Sequence, residues 1–283
     1  MKKKKLIWVG SALAFVGAAL FVDALILEKY FFDVRTFRIG KNNSERSIKI
    51  VLITDLHFKD RLLPHYKRLA RKLNQLQLDL LLITGDTIDS TGKLEPVIGF
   101  FKLLNQQMRK VAIPGNNDYK ASTSIDDLEK ALEKCGCDFL RNESKAYIIE
   151  GERIMVTGLD DMIEGESSFR DAVKEIGSEE NHILLLHSPL QQEKIKAEIS
   201  SINKERDNSN KLNIRYIFAG HTHGGQVRLP GYVPVLPGQS GNYVNGWYNS
   251  SAPYLYVSKG FGTSTIPFRF FARSEVTVFH YFL

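Results

Sequence analysis

Short apolar runs alternate with segments of helical apolar spacing through the first half of the chain. Residues 48–53 are apolar apart from Lys49 and predict a strand that ends at Thr54-Asp55-Leu56-His57. Leu69, Leu73 and Leu76 place one apolar stripe on a helix over residues 64–76. Residues 78–83 predict a second buried strand, followed by Thr84-Gly85-Asp86-Thr87-Ile88-Asp89. A helix over 95–107, with Pro96 in its first turn, leads to a third strand over 110–113 and then to Pro114-Gly115-Asn116-Asn117-Asp118. Residues 36–39 read as an earlier strand and 40–46 as a polar turn. Such alternation predicts βαβ units and a largely parallel sheet. Ligands of such sheets bind beyond the carboxyl ends of the strands, where each of these polar clusters falls.

The second half continues the pattern. Ser124 opens a helix, with Asp126 and Asp127 at its positive end, that stops near Cys135-Gly136. Residues 146–149 and 153–157 form a hairpin about Glu150-Gly151-Glu152. A short helix over 169–176 precedes a strand over 182–186, which ends at His187-Ser188-Pro189, and a helix follows over 191–202. The β-branched and aromatic run 214–219 leads into Gly220-His221-Thr222-His223-Gly224-Gly225-Gln226. Residues 229–246 are too rich in Gly and Pro for a core strand, and 253–258 and 275–281 close the chain as strands.

Ahead of all this, Lys2 to Lys5 precede an uncharged run over 6–22, and apolar character resumes after Asp23 as far as residue 27. A helix over 6–27, at about 1.5 Å per residue, would reach roughly 33 Å, enough to cross a bilayer core of about 30 Å. Residues 1–30 are therefore expected to be an N-terminal membrane anchor with one transmembrane helix, Asp23 lying near an interface. A cleaved signal peptide is the competing reading, with Gly17-Ala18-Ala19 as small residues for a peptidase. Lys29, Arg35, Arg38, Lys41 and Arg46 follow the span, but a long domain is translocated largely regardless of charge. The expected location is the cell membrane, single-pass, with the folded domain on the outer face. Residues 31–46 are expected to supply a linker and first strand, and residues 47–283 the folded domain.

Composition and charge change this picture little. The chain has 283 residues, 43% hydrophobic and 25% charged, and is long enough for a sizeable core. Discounting Lys2 to Lys5 lowers the formal charge from +6 to +2, so the pI near 9.1 does not point to nucleic acid. Cys135 and Cys137, the only cysteines, are spaced neither as a disulfide framework nor as a zinc finger.

The residues that carry chemistry stand just beyond the strands. Asp55 and His57, Asp86, Asn116, His187, and His221 and His223 all come directly after apolar runs, and they include four of the seven histidines. Each alone has an ordinary explanation, since strand-end Asp and Asn cap helices and turn loops. Together they form a mixed carboxylate, amide and imidazole set suited to a two-metal site that hydrolyses a phosphate ester.

Asp55-x-His57, Gly85-Asp86-x-x-Asp89, Gly115-Asn116, His187 and Gly220-His221-x-His223 resemble, in order, the motifs of the calcineurin-like metallophosphoesterases. The stretch from His223 to Pro230, with residues 256–260 and 262–264, resembles a membrane-anchored or exported bacterial branch that includes UDP-2,3-diacylglucosamine pyrophosphatases of lipid A synthesis. The resemblance implies an α/β fold of two mixed β-sheets packed as a sandwich flanked by helices. It implies two divalent metal ions, manganese first, with iron, zinc or cobalt as alternatives. One ion would take Asp55, His57 and His223; the other would take Asn116, His187 and His221; Asp86 would bridge them. Hydroxide formed by the metals would then attack phosphorus.

One position departs from the family pattern. Asn117 stands where a His often stabilises charge or protonates the leaving group; its expected partner Asp89 is present. An amide donates a hydrogen bond but transfers no proton near pH 7. The expected substrates are therefore phosphodiesters or diphosphates, small or lipid-linked and close to the membrane, rather than poor-leaving-group monoesters. A UDP-2,3-diacylglucosamine pyrophosphatase is a narrower alternative. From another class, a catalytically weak protein that binds a phospho-ligand or cell-wall component is an alternative. The catalytic set is then Asp86, Asn117 and Asp89, in a monomer that binds no nucleic acid. Arg228 and Lys259 are the cations nearest the motifs, either holding phosphate or solvated. His65 reads as a surface residue at a helix start, the alternative being that it replaces the missing proton donor from the loop after the first strand. Phe268, Phe270 and Phe271 read as core packing, the alternative being contact with lipid or an acyl chain.

Overall fold

The computed structural model of the protein describes residues 8, 11, 15, 17, 18, 22–24, 28, 31–41 and 44–283. Two six-stranded mixed sheets form its centre. The first contains, in spatial order, β1 (Asp33–Gly40), β12 (Glu275–Phe282), β2 (Ser47–Ile53), β3 (Leu80–Thr84), β4 (Arg109–Ile113) and β5 (Cys137–Phe139). The second contains β10 (Gly246–Tyr248), β11 (Tyr254–Val257), β9 (Ile214–Ala219), β8 (His182–Leu185), β7 (Glu152–Gly158) and β6 (Glu143–Ile149). Strands β2 to β5 are parallel to one another, as are β7, β8 and β9; β12 runs antiparallel to β2 and parallel to β1.

Strand alternation divides the core into layers. Ile48, Ile50 and Leu52 of β2 pack with Val156, Ile183, Leu185 and Phe218 between the sheets. Val51 and Ile53 point the other way, against Tyr66, Leu69 and Leu73 of α1 (Pro64–Gln75) and Val97, Phe100 and Phe101 of α2 (Leu94–Leu103). The second sheet's outer face is closed by Phe169 of α5 (Phe169–Ala172) and by Ile195 and Ile202 of α6 (Gln192–Glu205). Between them in sequence lie α3 (Asn116–Lys120) and α4 (Ile125–Lys134), the latter capped by Ser124, whose hydroxyl accepts the Asp127 N–H. The result is an α/β sandwich of two mixed sheets with helices outside.

The elements follow the apolar pattern with local departures. Helix α2 ends at Leu103 rather than 107, because Leu104 turns to an extended backbone and Asn74 Oδ1 accepts the Asn105 N–H at 2.8 Å. Strand β1 is longer than expected and is held by β12, from the far end of the chain.

The membrane reading does not survive. Among the described residues no helix is long and apolar enough to cross a membrane, which overturns the expected single-pass membrane location and the outer-face placement with it. Most of residues 1–30, on which the anchor was placed, lie outside the described residues. Near its end this stretch docks on the domain: Glu28 is 4% exposed and its carboxylate accepts the Phe271 and Ala272 N–H groups at 2.6 and 3.0 Å. Asp23, expected at a bilayer interface, lies 3.9 Å from the Arg273 guanidinium.

Candidate metal centre

Each motif residue stands just beyond a strand, on the following loop or, for Asn116, at the first residue of α3, and those loops are bonded to one another across the carboxyl edges of both sheets. The Asp55 and His57 N–H groups donate to the Gly85 and Asp86 carbonyls at 3.1 and 2.9 Å. The Gly220 N–H donates to the His187 carbonyl at 3.0 Å, and the Gly262 N–H to the Asp55 carbonyl at 2.7 Å. These turns are tight enough that Asp55, His57, Asp86, His221 and His223 all have positive φ, between 47° and 70°. For residues with a Cβ this backbone region is strained, and such strain clusters where side chains must be aimed.

Two groups of side chains meet at Asp86. Its Oδ2 lies 3.4 Å from His57 Nε2, and its Oδ1 lies 3.4 Å from His187 Nε2. On the His57 side, His223 Nε2 lies 3.0 Å from His57 Nε2 and 3.5 Å from Asp55 Oδ1. On the His187 side, His187 Nε2 is 3.1 Å from Asn116 Oδ1 and 3.2 Å from His221 Nδ1. All seven motif residues are less than 9% exposed. The ligand atoms of Asp55, His57, Asp86 and His223 lie within 4.8 Å of one another. Imidazole nitrogens and carboxylate oxygens packed this closely, away from water, fit a divalent cation: lone pairs that would otherwise repel converge on a common centre.

The outer nitrogens of the imidazoles set which nitrogen faces inward. His187 Nδ1 donates to the Thr84 carbonyl at 2.9 Å, and His221 Nε2 to the Gly238 carbonyl at 2.7 Å. His57 Nδ1 faces Asp89 Oδ2 at 3.5 Å. A ligand histidine aimed by an acceptor on its far nitrogen is the usual arrangement in metal sites. His223 differs: its Nδ1 lies 3.3 Å from Nη2 of Arg269, which is itself fully buried.

The charges compensate one another. Burial pushes the Asp86 carboxyl up, but the His187 and His57 imidazoles and the Asn117 N–H outweigh it and leave Asp86 well below the usual carboxylate range. Burial opposes charge on His57 and His187 as well, yet the neighbouring carboxylates raise both above the ordinary imidazole value. His221 is pushed by burial and by His187 down to about 4, and His223 is lowered by burial and by His57. The carboxylates around His57 and His187 thus favour positive charge in the pocket, which a divalent cation would supply.

The Asn117 side chain is not free over the cleft; its Nδ2 donates to Asp86 Oδ2 and its backbone N–H to Asp86 Oδ1, both at 2.7 Å. Asp89 faces His57 and accepts the Thr91 N–H and hydroxyl at 3.0 and 2.7 Å. Lys259 is 9% exposed and pairs with Asp33 and Glu275 at 3.3 and 3.6 Å, while Arg228 donates to Asn245 Oδ1 at 2.8 Å. Neither lines the cleft beside the motif residues, which measures about 310 Å3. His65, expected on the surface, is buried with its ring 4.2 Å from that of Tyr66. Phe271 is 55% exposed and Phe268 half-buried, so neither is core.

Two residues escaped the sequence reading. Lys120 lines the cleft from the end of α3, pairing with Glu164 at 3.0 Å. Its spacing from Asn116 is helical and would have placed it there had α3 been recognised. Arg269 left no local signal.

The chain resembles known proteins over most of its length. A family model described as Calcineurin-like phosphoesterase matches residues 48–225. The uncharacterized metallophosphoesterase YkuE of Bacillus subtilis is 29% identical over 238 residues, 82% of this chain and 78% of that protein. An uncharacterized metallophosphoesterase of Aquifex aeolicus is 26% identical over 267 residues, covering 89% and 92%. Among solved structures, TT1561 of Thermus thermophilus is 12% identical and covers 76% of this chain and 91% of that one at a TM-score of 0.49. The matched span includes all seven motif residues, and the chain belongs to the calcineurin-like phosphoesterase family of metal-dependent phosphoric ester hydrolases.

Proposed function

We propose that the protein hydrolyses phosphodiester or diphosphate bonds with two divalent cations, manganese foremost. Asp55, His57 and His223 would hold one ion, Asn116, His187 and His221 the other, and Asp86 both. The observation that supports this most directly is that the two oxygens of Asp86 face different imidazoles, at 3.4 Å each. When bound, the ions supply an acidified water at neutral pH and positive charge opposite the phosphate oxygens.

The chain's own groups set the rest. Asp89 and the Thr84 and Gly238 carbonyls hold the imidazoles of His57, His187 and His221 in register. Asn117 spends an amide proton on Asp86 and can protonate nothing, so a leaving group must depart without acid help from this position. Such help is typically worth about 10²–10⁴-fold, which favours diesters and diphosphates over alkyl monoesters. Lys120 is placed to hold a phosphate oxygen at the rim.

Chelator-stripped protein reloaded with manganese, iron, zinc or cobalt tests this. Bis(p-nitrophenyl) phosphate should be turned over faster than p-nitrophenyl phosphate, with two ions bound per chain by elemental analysis. Asp86→Ala should lower the rate by about 10³-fold or more. Faster monoester turnover, or activity indifferent to chelation, would sink the reading.

A further inference from the structure

Beside the metal-side cleft lies a second cavity, of about 530 Å3, within the size range of small-molecule sites. Val227, Pro234, Val235, Pro237, Ile266 and Phe268 make its walls, and among the described residues no Asp, Glu, Lys or Arg lines it. It adjoins the cleft: His223, Pro237, Ser264 and Thr265 border both spaces. The cleft, by contrast, carries Asp86, Asn117 and Lys120. A charged half and an apolar half thus share one boundary, marked by His223.

The cavity is built rather than incidental. Gln226 is 8% exposed and ties its two sides together: Nε2 donates to the Ile266 and Phe268 carbonyls at 2.8 and 3.2 Å, and Oε1 accepts the Ser264 N–H at 3.0 Å. The Phe270 N–H donates to the Gln226 carbonyl and the Arg228 N–H to the Phe270 carbonyl, at 2.9 and 2.8 Å. The amide in the floor is therefore satisfied by the wall. What remains open is apolar, with Val235 and Ile266 held 74% and 36% exposed around it. Apolar side chains grouped about a cavity mark a surface that a ligand covers.

We propose that this cavity binds a linear apolar chain attached close to the substrate's phosphorus, so that the substrates are alkyl- or acyl-bearing phosphodiesters or diphosphates. This rests on the phosphodiesterase reading above and adds the substrate class to it. The metal side takes the phosphate, and the chain leaves across His223 into the Val235–Ile266–Phe268 space.

Methyl and hexyl p-nitrophenyl phosphate test it, since they share a leaving group and differ in the retained chain. Hydrolysis adds one water across the P–O bond, giving the alkyl phosphate and p-nitrophenol. The hexyl ester is monomeric at assay concentrations, so a gain reports the cavity and not an interface. A fully buried methylene is worth about fourfold; with partial burial of five, kcat/KM should rise at least tenfold from methyl to hexyl. Ile266→Asp should bring that ratio close to one. Val235→Asp, at a position too exposed to threaten folding, should lower it as well. Equal kcat/KM for the two esters overturns the proposal and leaves the phosphodiesterase reading standing. If neither ester is cleaved with any metal, the phosphodiesterase reading fails. Calorimetric binding of hexylphosphonate against methylphosphonate then still decides: tighter hexyl binding that Ile266→Asp abolishes upholds the cavity, and equal affinities overturn it.

Discussion

Asn117 shows how one side chain narrows the chemistry. Its amide and backbone N–H groups both bond to Asp86, so it fixes that carboxylate instead of standing free to reach a leaving group. Asn117→His would restore a proton donor beside the cleft. We expect hydrolysis of p-nitrophenyl phosphate and of alkyl monoesters to rise by about 10-fold or more, the larger factor for the poorer leaving group. Steady-state rates across leaving groups of graded pKa would check it; a slope unchanged from the parent would refute it. The position of Asn117 was readable from its motif. Its commitment to Asp86 was not, because Asp86 belongs to another strand's loop.

The loops that carry these residues pack closely against one another. A Cβ on Gly115 would collide with the backbone nitrogen and Oδ1 of Asp86 and lie 2.8 Å from His187 Cε1. Gly115→Ala should therefore push the β3 and β4 loops apart and cost about 10²-fold in kcat/KM, with the Tm changed much less. Behind the β9 loop, Arg269 donates to the Gly262, Ala272 and His223 carbonyls. Burial lowers its guanidinium to about 10, which leaves it charged at neutral pH. Arg269→Met would leave three buried carbonyls without these donors, each costing about 1–3 kcal/mol. Urea unfolding should register a loss of about 3 kcal/mol or more, and a loss below about 1 kcal/mol would contradict the role.

Over the molecule, stability should fall in mild acid for a reason remote from the metal. His182 is fully buried beside Thr157, its Nε2 2.7 Å from that hydroxyl, and burial pushes it down to about 4 from an ordinary 6.5. Between those values the unfolded chain binds the proton and the folded protein does not. The contribution of neutral His182 is thus complete above about pH 6.5 and lost as pH falls toward 4. Between pH 7 and pH 5 the loss should be about 2 kcal/mol, and His182→Gln should remove that portion of the slope. Equal slopes for parent and variant would rule the assignment out. The strands and the strand-end positions of the seven motif residues were legible because both depend on short-range signals: a run of apolar residues makes a strand, and polar residues placed directly after it must lie at the strand's carboxyl edge. The two-sheet sandwich was implied by the motif resemblance and not by the local pattern, which pointed to a largely parallel sheet. Side chains brought together from far apart had no such signal. The pairing of β1 with β12, the seating of Arg269 behind His223, the docking of Glu28 on the 271–272 backbone and the apolar cavity beside the cleft all join segments distant in the chain. Their free energy comes from packing the folded chain, which no local window of sequence contains.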